Sequence, residues 1–290
     1  MPMPSLLDLP APAKVNLFLH VVGRRADGYH ELQSLFVPLD WADRLHLHLR
    51  HDGRLVRHDL NADIALPADD LCLRAARALQ QASGCALGAD IVLDKRLPQQ
   101  AGLGGGSSDA ATVLLGLNRL WGLRWPRERL AQLGATLGAD VPFFLGTGPA
   151  WVEGIGEHLQ AVELPPVELL VVKPAQGVPT AAIFGDPALP RATPRVAAAD
   201  ALAALRRDPW LSWGRNDLQE SAVRHCPAIG QALQRLQALG LRARMSGSGS
   251  AVFAVWPAGW HGPDPLTVDW PADWVVRRCR TLATLPLAAW

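Results

Sequence analysis

The sequence predicts an α+β protein with two domains. The chain has 290 residues, 49% of them hydrophobic, which is enough for one large or two medium domains with a substantial core. Strands of alternating polarity and helices with apolar stripes both occur along it. Turn residues crowd residues 146–156, where we place the crossing between the domains. We therefore expect domains at residues 1–155 and 156–290.

The first predicted element is a strand over residues 12–22. Its side chains alternate, so that Lys14, Asn16, Phe18 and His20 share one face and aliphatic residues form the other. Apolar residues on both faces favour a strand in the interior of the protein. A half-buried lysine then needs an anionic partner from the protein or from a ligand. The alternative is an edge strand with solvated polar side chains.

A polar loop over residues 23–32 connects this strand to a second one over residues 33–39. An Asp-Gly pair marks a turn in the loop. Tyr29 could stack on a flat ligand, and His30 could form a hydrogen bond with the edge of that ligand. The residue types are equally compatible with a Tyr29 that packs under the loop and a solvated His30.

The chain continues with an antiparallel strand in which leucines alternate with polar residues. Its histidines, His46 and His48, and the following His51 fit a solvated face better than a metal site, because no cysteine or carboxylate is spaced to join them. A helix follows over residues 69–83 and ends at a glycine. The four cysteines are scattered and read as reduced packing residues, so we expect no metal held by protein side chains.

The most informative stretch lies between a strand predicted at residues 89–95 and a helix predicted at residues 110–121. Residues 102–108 contain four glycines and two serines. Glycine permits positive φ and lets a ligand approach the bare backbone, and the free N–H groups at a helix start attract anions. The stretch predicts a phosphate-binding loop that uses backbone N–H groups and hydroxyls, because Asp109 itself is acidic. A turn tightened only for packing is the alternative.

Three well-known glycine loops do not fit this stretch. A Walker A loop has a lysine at the helix start, and none stands there. A Rossmann loop has a third glycine at the position of Ser107 and a carboxylate after a second strand, whereas here a helix still runs at Trp121. A protein kinase has His-Arg-Asp and Asp-Phe-Gly sequences downstream, and neither occurs. The loop is therefore of another type.

A carboxylate in apolar surroundings follows the helix predicted at residues 126–137. Asp140 stands in the sequence Gly-Ala-Asp-Val-Pro, and the proline predicts an extended backbone in front of it. Such an aspartate can cap a short helix, pair with a cation or act as a catalytic base. The residues alone leave these three roles open.

The second half predicts a buried strand at residues 167–172 and a short helical segment at 180–184. Asn216 fits the cap of a helix, and another helix is predicted at residues 227–239. A glycine turn at residues 246–250 leads into strands predicted at 251–256 and 274–279. The turn does not match the Gly-x-Ser-x-Gly pattern of serine hydrolases.

Composition excludes several function classes. The 28 basic and 27 acidic residues give a formal net charge of +1, so neither nucleic acid nor a membrane surface is expected as a partner. Residues 1–11 lack the pattern of a signal peptide, and no run of about 18 apolar residues occurs. We expect a cytoplasmic protein.

Three motifs, together with the Asp140 segment, resemble the GHMP kinases, the superfamily of galactokinase, homoserine kinase, mevalonate kinase and phosphomevalonate kinase. The first is Pro-Ala-Lys-Val-Asn-Leu with Arg-Ala-Asp-Gly-Tyr-His-Glu-Leu-Gln-Ser, the second is Pro98 to Ser108 followed by Asp-Ala-Ala, and the third is the turn at residues 246–250. The resemblance runs from Pro12 to Trp256. It implies a two-domain GHMP kinase fold: an N-terminal ATP-binding, catalytic domain that resembles the ribosomal protein S5 domain 2-like fold, and a C-terminal α/β sandwich for the substrate.

The resemblance also implies the activity. The chain is similar to small-molecule kinases that use ATP and Mg²⁺ to phosphorylate an alcohol. Its first motif resembles the branch whose substrate carries a cytidine diphosphate group and whose reaction serves isoprenoid precursor synthesis without mevalonate. In that branch the phosphoryl group goes to the 2-hydroxyl, a tertiary alcohol. No nucleic acid or membrane partner is implied, and we expect a monomer or a weak homodimer.

Residue roles carry over where the motifs match. Asp140 is implied as the base that takes the proton of the substrate hydroxyl, with Lys14 as its electrostatic partner. The residues implied in ATP binding are Lys95, Pro98, Gln99, Gln100, Ala101, Gly102, Leu103, Gly104, Gly105, Gly106, Ser107 and Ser108. The residues implied in substrate binding are Asn16, Tyr29, His30, Asp140, Thr180, Phe184, Gly247 and Ser248, with the cytosine ring between Tyr29 and Phe184.

Two alternatives accompany this interpretation. Another GHMP kinase would act on homoserine or a mevalonate derivative, but those substrates carry no base for Tyr29 and His30 to bind. A non-catalytic sugar or nucleotide sensor on the same fold would be free to lose Lys14 or Asp140, and this chain has both.

Overall fold

The computed structural model describes residues 4–61, 66–207, 211, 213–257 and 259–290. The strands are β1 (Ser5–Arg24), β2 (His30–Arg50), β3 (Leu55–Asp59), β4 (Gly88–Asp94), β5 (Ala150–Gly154), β6 (His158–Ala161), β7 (Glu168–Lys173), β8 (Ala243–Met245), β9 (Val252–Val255) and β10 (Val275–Arg280). The helices are α1 (Leu71–Ser83), α2 (Gly105–Leu120), α3 (Arg127–Ala135), α4 (Val141–Phe144), α5 (Thr180–Gly185), α6 (Ala198–Arg207), α7 (Gln219–His225) and α8 (Pro227–Ala238).

The strands form two separate sheets. In the first, the order is β3-β4-β2-β5-β6, and β1 pairs with β2 in a long antiparallel hairpin. The second sheet has the order β10-β7-β9-β8, with every pair antiparallel. Helices and largely antiparallel sheets in two units confirm the predicted α+β class.

β1 is an edge strand by pairing but an interior strand by burial. Within the described residues its ladder partner is β2, and its other edge is covered by loops from the second half of the chain. The N–H of Leu19 donates to the carbonyl of Arg215 at 2.9 Å, and the N–H of Asp217 donates back to Leu19 at 2.8 Å. The N–H of Asn16 donates to the hydroxyl of Ser246 at 3.2 Å. These bonds satisfy the strand edge, so its polar side chains are buried instead of solvated.

One apolar cluster joins the two sheets. Val15 and Leu17 of β1 and Leu35 of β2 pack in one buried group with Val171 of β7 and Phe253 of β9. The domain boundary at residues 155/156 stays a prediction. The first sheet itself extends beyond that point, because β6 pairs with β5.

Helix boundaries follow local chemistry in some places and distant contacts in others. α1 begins after Asp70, whose carboxylate accepts the N–H of Leu73 at 3.1 Å, and ends at Gly84 with a φ of 65°. The helix predicted from residue 110 starts earlier, at Gly105. Asn216 lies just before α7, where its Oδ1 accepts the N–H of Leu218 at 2.9 Å, and its Nδ2 donates to the carbonyls of Met245 and Gly247, at 2.8 Å each.

A segment near residue 285 returns to the first sheet. Leu285 and Leu287 belong to the apolar cluster that packs between the first sheet and its helices. The N–H of Leu285 donates to the carbonyl of Thr147 at 2.7 Å. The guanidinium of Arg127 donates to the carbonyls of Leu287 and, at 2.7 Å, Leu145. The segment is thus part of the first core.

No helix within the described ranges is long and apolar enough to cross a lipid bilayer.

Candidate active site

A cleft of about 1180 Å³ opens where the two halves of the chain meet. It is lined by β1, the glycine loop, the segment around Asp140, the start of α5 and the turn at residues 246–250. Every site residue predicted from the sequence lines this cleft, with Ser108 as the exception. The fold therefore gathers residues from at least five separate segments at one place.

Lys14 and Asp140 form an ion pair in this cleft. The Nζ atom of Lys14 lies 3.4 Å from Oδ2 of Asp140. The lysine side chain is 3% exposed and that of the aspartate 31%, so the carboxylate is the member of the pair that a ligand can reach. Nζ also lies 4.5 Å from the ring centroid of Phe36. The anionic partner that the sequence required for a buried lysine is Asp140.

Asn16 holds the lysine from the other side. Its Oδ1 accepts a hydrogen bond from Nζ of Lys14 at 2.6 Å, and its Nδ2 donates to Oγ of Ser34 at 3.0 Å. Ser34 in turn donates to the carbonyl of Phe18 at 2.5 Å. This chain of hydrogen bonds fixes which end of the amide faces the lysine. Sequence reasoning missed Ser34, which stands in the first motif without any signal of its own.

The backbone at Asp140 differs from the prediction. Asp140 has φ −84° and ψ −13°, a helical conformation, where the following Val-Pro predicted an extended one. Val141 already belongs to α4, and Pro142 lies in the first turn of that helix, where a missing N–H breaks no helical bond. Asp140 precedes α4, but its side chain forms no capping hydrogen bond. The carboxylate is left to face Lys14.

The glycine loop presents the start of α2 to the cleft. The first helical bond runs from the N–H of Ser108 to the carbonyl of Gly104 at 2.9 Å, so the N–H groups of Gly105, Gly106 and Ser107 precede the helical ladder. Gly104 has a φ of 72°, and a Cβ there would lie 3.1 Å from Cγ of Lys14. Three N–H groups and the positive end of the helix dipole suit a phosphate group.

Backbone contacts lock the glycine loop to the third motif. A Cβ on Gly102, which has a φ of 70°, would lie 2.1 Å from the carbonyl oxygen of Ser246. The hydroxyl of Ser246 donates to the carbonyl of Gly102 at 2.9 Å, and the N–H of Ala251 donates to the carbonyl of Ala101 at 3.0 Å. Glycine is required at position 102 because the two motifs touch backbone to backbone.

Two predicted ATP-binding residues have other partners. Ser108 is fully buried, and its N–H belongs to the helical ladder. Nζ of Lys95 donates to Asp43 at 2.5 Å and to Asp109 at 2.6 Å. Burial opposes the charge of Lys95, but the carboxylates of Asp109 and Asp43 outweigh it and raise the pKa of the lysine. Burial raises the pKa of Asp109 well above its usual value, with Lys95 opposing the shift and Asp43 adding to it.

A carboxylate stands where the family resemblance implies an asparagine near the nucleotide base, and it lines the cleft. Asp70, the cap of α1, lies 2.8 Å from the guanidinium of Arg57. Both side chains are about nine-tenths buried. This pair connects β3 to the start of α1, which lies beside the glycine loop.

The aromatic residues predicted to bind the substrate lie at the cleft. The ring of Phe184 stacks on that of His30, with centroids 5.1 Å apart and an interplanar angle of 29°. Tyr29 lies at the tip of the loop and is 61% exposed. Phe184 thus contacts His30, which begins β2, while Tyr29 belongs to the turn before that strand. A cytosine ring between Tyr29 and Phe184 stays a prediction.

The remaining predicted substrate residues lie together. The hydroxyls of Thr180 and Ser248 are 2.7 Å apart, which joins the start of α5 to the glycine turn. Gly247, with a φ of 54°, would place a Cβ 3.1 Å from the carbonyl of Gly102. Sequence reasoning missed one neighbour here, Arg191, whose Nε donates to Nε2 of His30 at 3.2 Å. It lies in a proline-rich stretch that carried no recognisable motif.

Metal binding by the protein alone is not indicated in the part of the chain that the structure describes, where no group of three His, Cys, Asp or Glu side chains is arranged around a common point.

Comparison with known proteins shows the family of the chain. Residues 70–148 match the family model of the GHMP kinases N terminal domain, and residues 196–257 match that of the GHMP kinases C terminal region. The 4-diphosphocytidyl-2-C-methyl-D-erythritol kinase of Methylibium petroleiphilum is 57% identical over 100% of this chain and 99% of its own length.

Solved structures give the same result for the fold. A crystal structure of 4-(cytidine 5'-diphospho)-2C-methyl-D-erythritol kinase superposes with a TM-score of 0.71 at 41% identity, covering 87% of this chain and 90% of the other. Homoserine kinase from Cytophaga hutchinsonii superposes with a TM-score of 0.68 at 17% identity, covering 97% of this chain and 95% of the other, which is a likeness of fold alone.

Proposed function

The chain belongs to the GHMP kinase family, and we propose that it transfers a phosphoryl group from ATP to the 2-hydroxyl of 4-diphosphocytidyl-2-C-methyl-D-erythritol, a step of isoprenoid precursor synthesis without mevalonate. One observation carries the assignment of the chemistry to residues. The Lys14–Asp140 pair faces the same cleft as the helix start that suits a phosphate. The γ-phosphoryl group of ATP and the substrate hydroxyl that accepts it can therefore bind next to each other in this cleft.

ATP would bind with its phosphates at the start of α2. The N–H groups of Gly105, Gly106 and Ser107 precede the helical ladder and have the geometry that anions favour. The loop from Pro98 to Leu103 lines the cleft on the way to this point. Phosphoryl transfer needs positioning and charge stabilisation more than covalent chemistry, and a rigid loop supplies positioning.

Asp140 would accept the proton of the substrate hydroxyl. A tertiary alcohol is a weak nucleophile near neutral pH, so a positioned base aids the transfer. The carboxylate is the exposed member of its pair, and the ammonium of Lys14 lies behind it at 3.4 Å. Lys14 would keep the carboxylate oriented and stabilise the negative charge that develops on the transferred group.

Mg²⁺ would accompany the nucleotide, where it screens the charge of the phosphates. The described side chains fit this arrangement, since no three of them form a metal cage and Mg²⁺ in kinases is held largely by phosphates, waters and one or two carboxylates. The finer properties we propose are those expected from the sequence: a cytoplasmic enzyme, monomeric or weakly dimeric.

The cytidine end of the substrate would lie near His30, Phe184 and Tyr29. His30 and Phe184 already form a stacked pair at the cleft, and the exposed Tyr29 directly precedes His30 in the chain. Asn16, Thr180, Gly247 and Ser248 line the path between this end and Asp140.

The test is a coupled assay of ADP release with Mg-ATP and three alcohols in parallel: 4-diphosphocytidyl-2-C-methyl-D-erythritol, homoserine and mevalonate. Turnover restricted to the cytidyl substrate is the expected result. Turnover with homoserine or mevalonate instead would contradict the substrate assignment and keep the Lys14–Asp140 chemistry. Saturable binding of the cytidyl compound without ADP release would indicate a sensor and contradict the proposed reaction.

A further inference from the structure

The side chain of Arg191 is held in one orientation by the loop that carries it. Nη2 donates to the carbonyl of Asp186 at 2.8 Å, and Nη1 donates to those of Pro187 and Leu189 at 3.2 Å each. The Nε–H group donates to Nε2 of His30 at 3.2 Å. A guanidinium held by three other N–H···O bonds has little freedom to move away from His30.

The loop is itself anchored to the second half of the protein. The carboxylate of Asp186 accepts hydrogen bonds from the hydroxyl of Ser221 at 2.5 Å and from the guanidinium of Arg224 at 2.6 Å. Both partners belong to α7, and the pKa of Asp186 is held well below its usual range by these two bonds and by the N–H of Ala188. Arg191 is therefore positioned by a fixed scaffold.

A guanidinium can only donate, so the direction of the bond to His30 is settled by chemistry. Nε2 of His30 accepts, which means that it carries a lone pair and no proton. In the neutral ring the proton then resides on Nδ1. Phe184, stacked on the ring at 5.1 Å, restrains the ring plane. Among the described contacts of His30, none occupies Nδ1, and His30 lines the cleft.

We infer that Arg191 is a positioning residue that fixes His30 as the tautomer with its proton on Nδ1, so that His30 offers the cleft a hydrogen-bond donor. This inference rests on the proposed function for its consequence in catalysis. An N–H donor at this position favours cytosine, because N3 of cytosine accepts a hydrogen bond. It disfavours uracil, because N3 of uracil carries a proton and is itself a donor. Arg191 would thus contribute to the choice of pyrimidine without touching it.

The electrostatic surroundings keep the histidine neutral. The charged groups that face the ring are Arg191 from the loop after α5 and Arg24 from the end of β1. Burial, then the charge of Arg191 and then that of Arg24 lower the pKa of His30 below 6.5. Loss of Arg191 removes one of these causes, so the pKa of His30 should rise toward 6.5 in its absence.

The first experiment reads the tautomer in the substrate-free protein. Long-range ¹H–¹⁵N correlation spectra distinguish a protonated ring nitrogen from an unprotonated one, and H30Q identifies the signals of His30. We expect the proton on Nδ1 at pH 8 in the wild-type protein. A proton on Nε2 would overturn the inference, whether or not the protein is a kinase.

The second experiment compares R191A with R195A. Arg195 lies in the same loop and pairs with Glu31 at 2.7 Å, so its removal deletes the same charge without touching His30. In R191A we expect mixed tautomers, a raised His30 pKa, and a KM for the cytidyl substrate about tenfold higher with kcat and the KM for ATP nearly unchanged. The preference for the cytidyl over the matching uridyl compound should fall, and R195A should behave as wild type.

An R191A protein with the wild-type tautomer and the wild-type pyrimidine preference would overturn the inference. R191K, which keeps a donor and a charge, should recover part of the tautomer preference. If R191A does not fold, the tautomer of the wild-type protein and of R191K decide the question.

Discussion

Nζ of Lys14 and Oδ2 of Asp140 lie 3.4 Å apart, although one residue belongs to the first strand and the other precedes a one-turn helix. The pair is asymmetric, because the lysine is buried and the aspartate opens to the cleft. A substrate hydroxyl can therefore approach the carboxylate while the ammonium stays behind it. This asymmetry supports the proposed proton-accepting role of Asp140.

Asp140→Asn should remove the base and keep the shape of the site. We expect kcat to fall by about 10³-fold, within the range for general-base catalysis, with ATP binding largely intact. Coupled ADP release gives kcat, and equilibrium dialysis gives ATP affinity. Asp264→Asn, in a surface turn, is the matched control and should leave both unchanged. Undiminished turnover of D140N would remove Asp140 from the mechanism.

Gly102→Ala should disrupt the contact between the glycine loop and the third motif. Its Cβ would lie 2.1 Å from a carbonyl oxygen at a φ of 70°, so the backbone has to move. We expect a loss of about 3 kcal/mol or more in the free energy of unfolding and a KM for ATP about tenfold higher. The measurements are urea unfolding and steady-state kinetics.

Gly84→Ala is the control for that substitution. Gly84 has a similar φ of 65°, but no atom lies within 4 Å of the added Cβ. Gly84→Ala should lower the free energy of unfolding by only about 1 kcal/mol, because a residue with a Cβ is strained in the left-handed region. The KM for ATP should stay unchanged. Equal costs for the two variants would show that the clash at Gly102 relaxes freely.

Lys95→Met should be strongly destabilising. It would leave the buried carboxylates of Asp43 and Asp109 without their cation, at a cost of about 3–5 kcal/mol in the free energy of unfolding. Lys173→Met is a matched control, since both lysines are 6% exposed. Lys173 donates to one carbonyl, that of Ala175, and its pKa is lowered by burial, so K173M should change stability by less than about 1 kcal/mol. Similar losses in the two variants would contradict the role of the carboxylate pair.

His20→Leu should stabilise the protein and reduce its sensitivity to acid. Both ring nitrogens of His20 are buried without a partner beside Phe18 and Trp213. Burial lowers the pKa of His20 below 6.5. As the pH decreases below 6.5, the unfolded chain therefore binds a proton at this histidine more readily than the folded protein does, and the free energy of unfolding decreases. H20L should raise that free energy by about 1 kcal/mol at pH 7 and by more at pH 5.5.

Urea unfolding between pH 5 and pH 8 measures both effects of H20L. His158→Gln is the comparison, because the side chain of His158 is 72% exposed. It should follow the wild-type pH dependence. A parallel shift of the H20L curve at all pH values would contradict the proton linkage.

The parts of the site that obey local rules were predictable from the sequence. The loop at Gly102–Ser107 could be placed at a helix start because glycine density and the following apolar period are visible within a few residues. The need of Lys14 for an anionic partner followed from the alternation of its strand. The partner itself could be named only through the resemblance to a family.

The parts that depend on distant contacts were not predictable. Asp140 adopts a helical backbone in front of α4, although the Val-Pro sequence that follows it favours an extended one. Arg191 and Ser34 matter through hydrogen bonds to residues far away in the chain. Lys95 lines the cleft, but its ammonium donates to the buried carboxylates of Asp43 and Asp109. Asp43 is 52 residues away in the chain, so this pairing is not visible in the local sequence.

The return of Leu285 and Leu287 to the first core sets an order of events during protein synthesis. Helices α2 and α3 leave the ribosome long before the segment that completes their packing. Until residues 282–288 emerge, the first core exposes apolar surface that Leu285 and Leu287 later cover, and Arg127 lacks the carbonyl of Leu287 as a partner. The first core is therefore completed only after the second half of the chain has been translated, and a fragment that stops before residue 282 would expose that apolar surface.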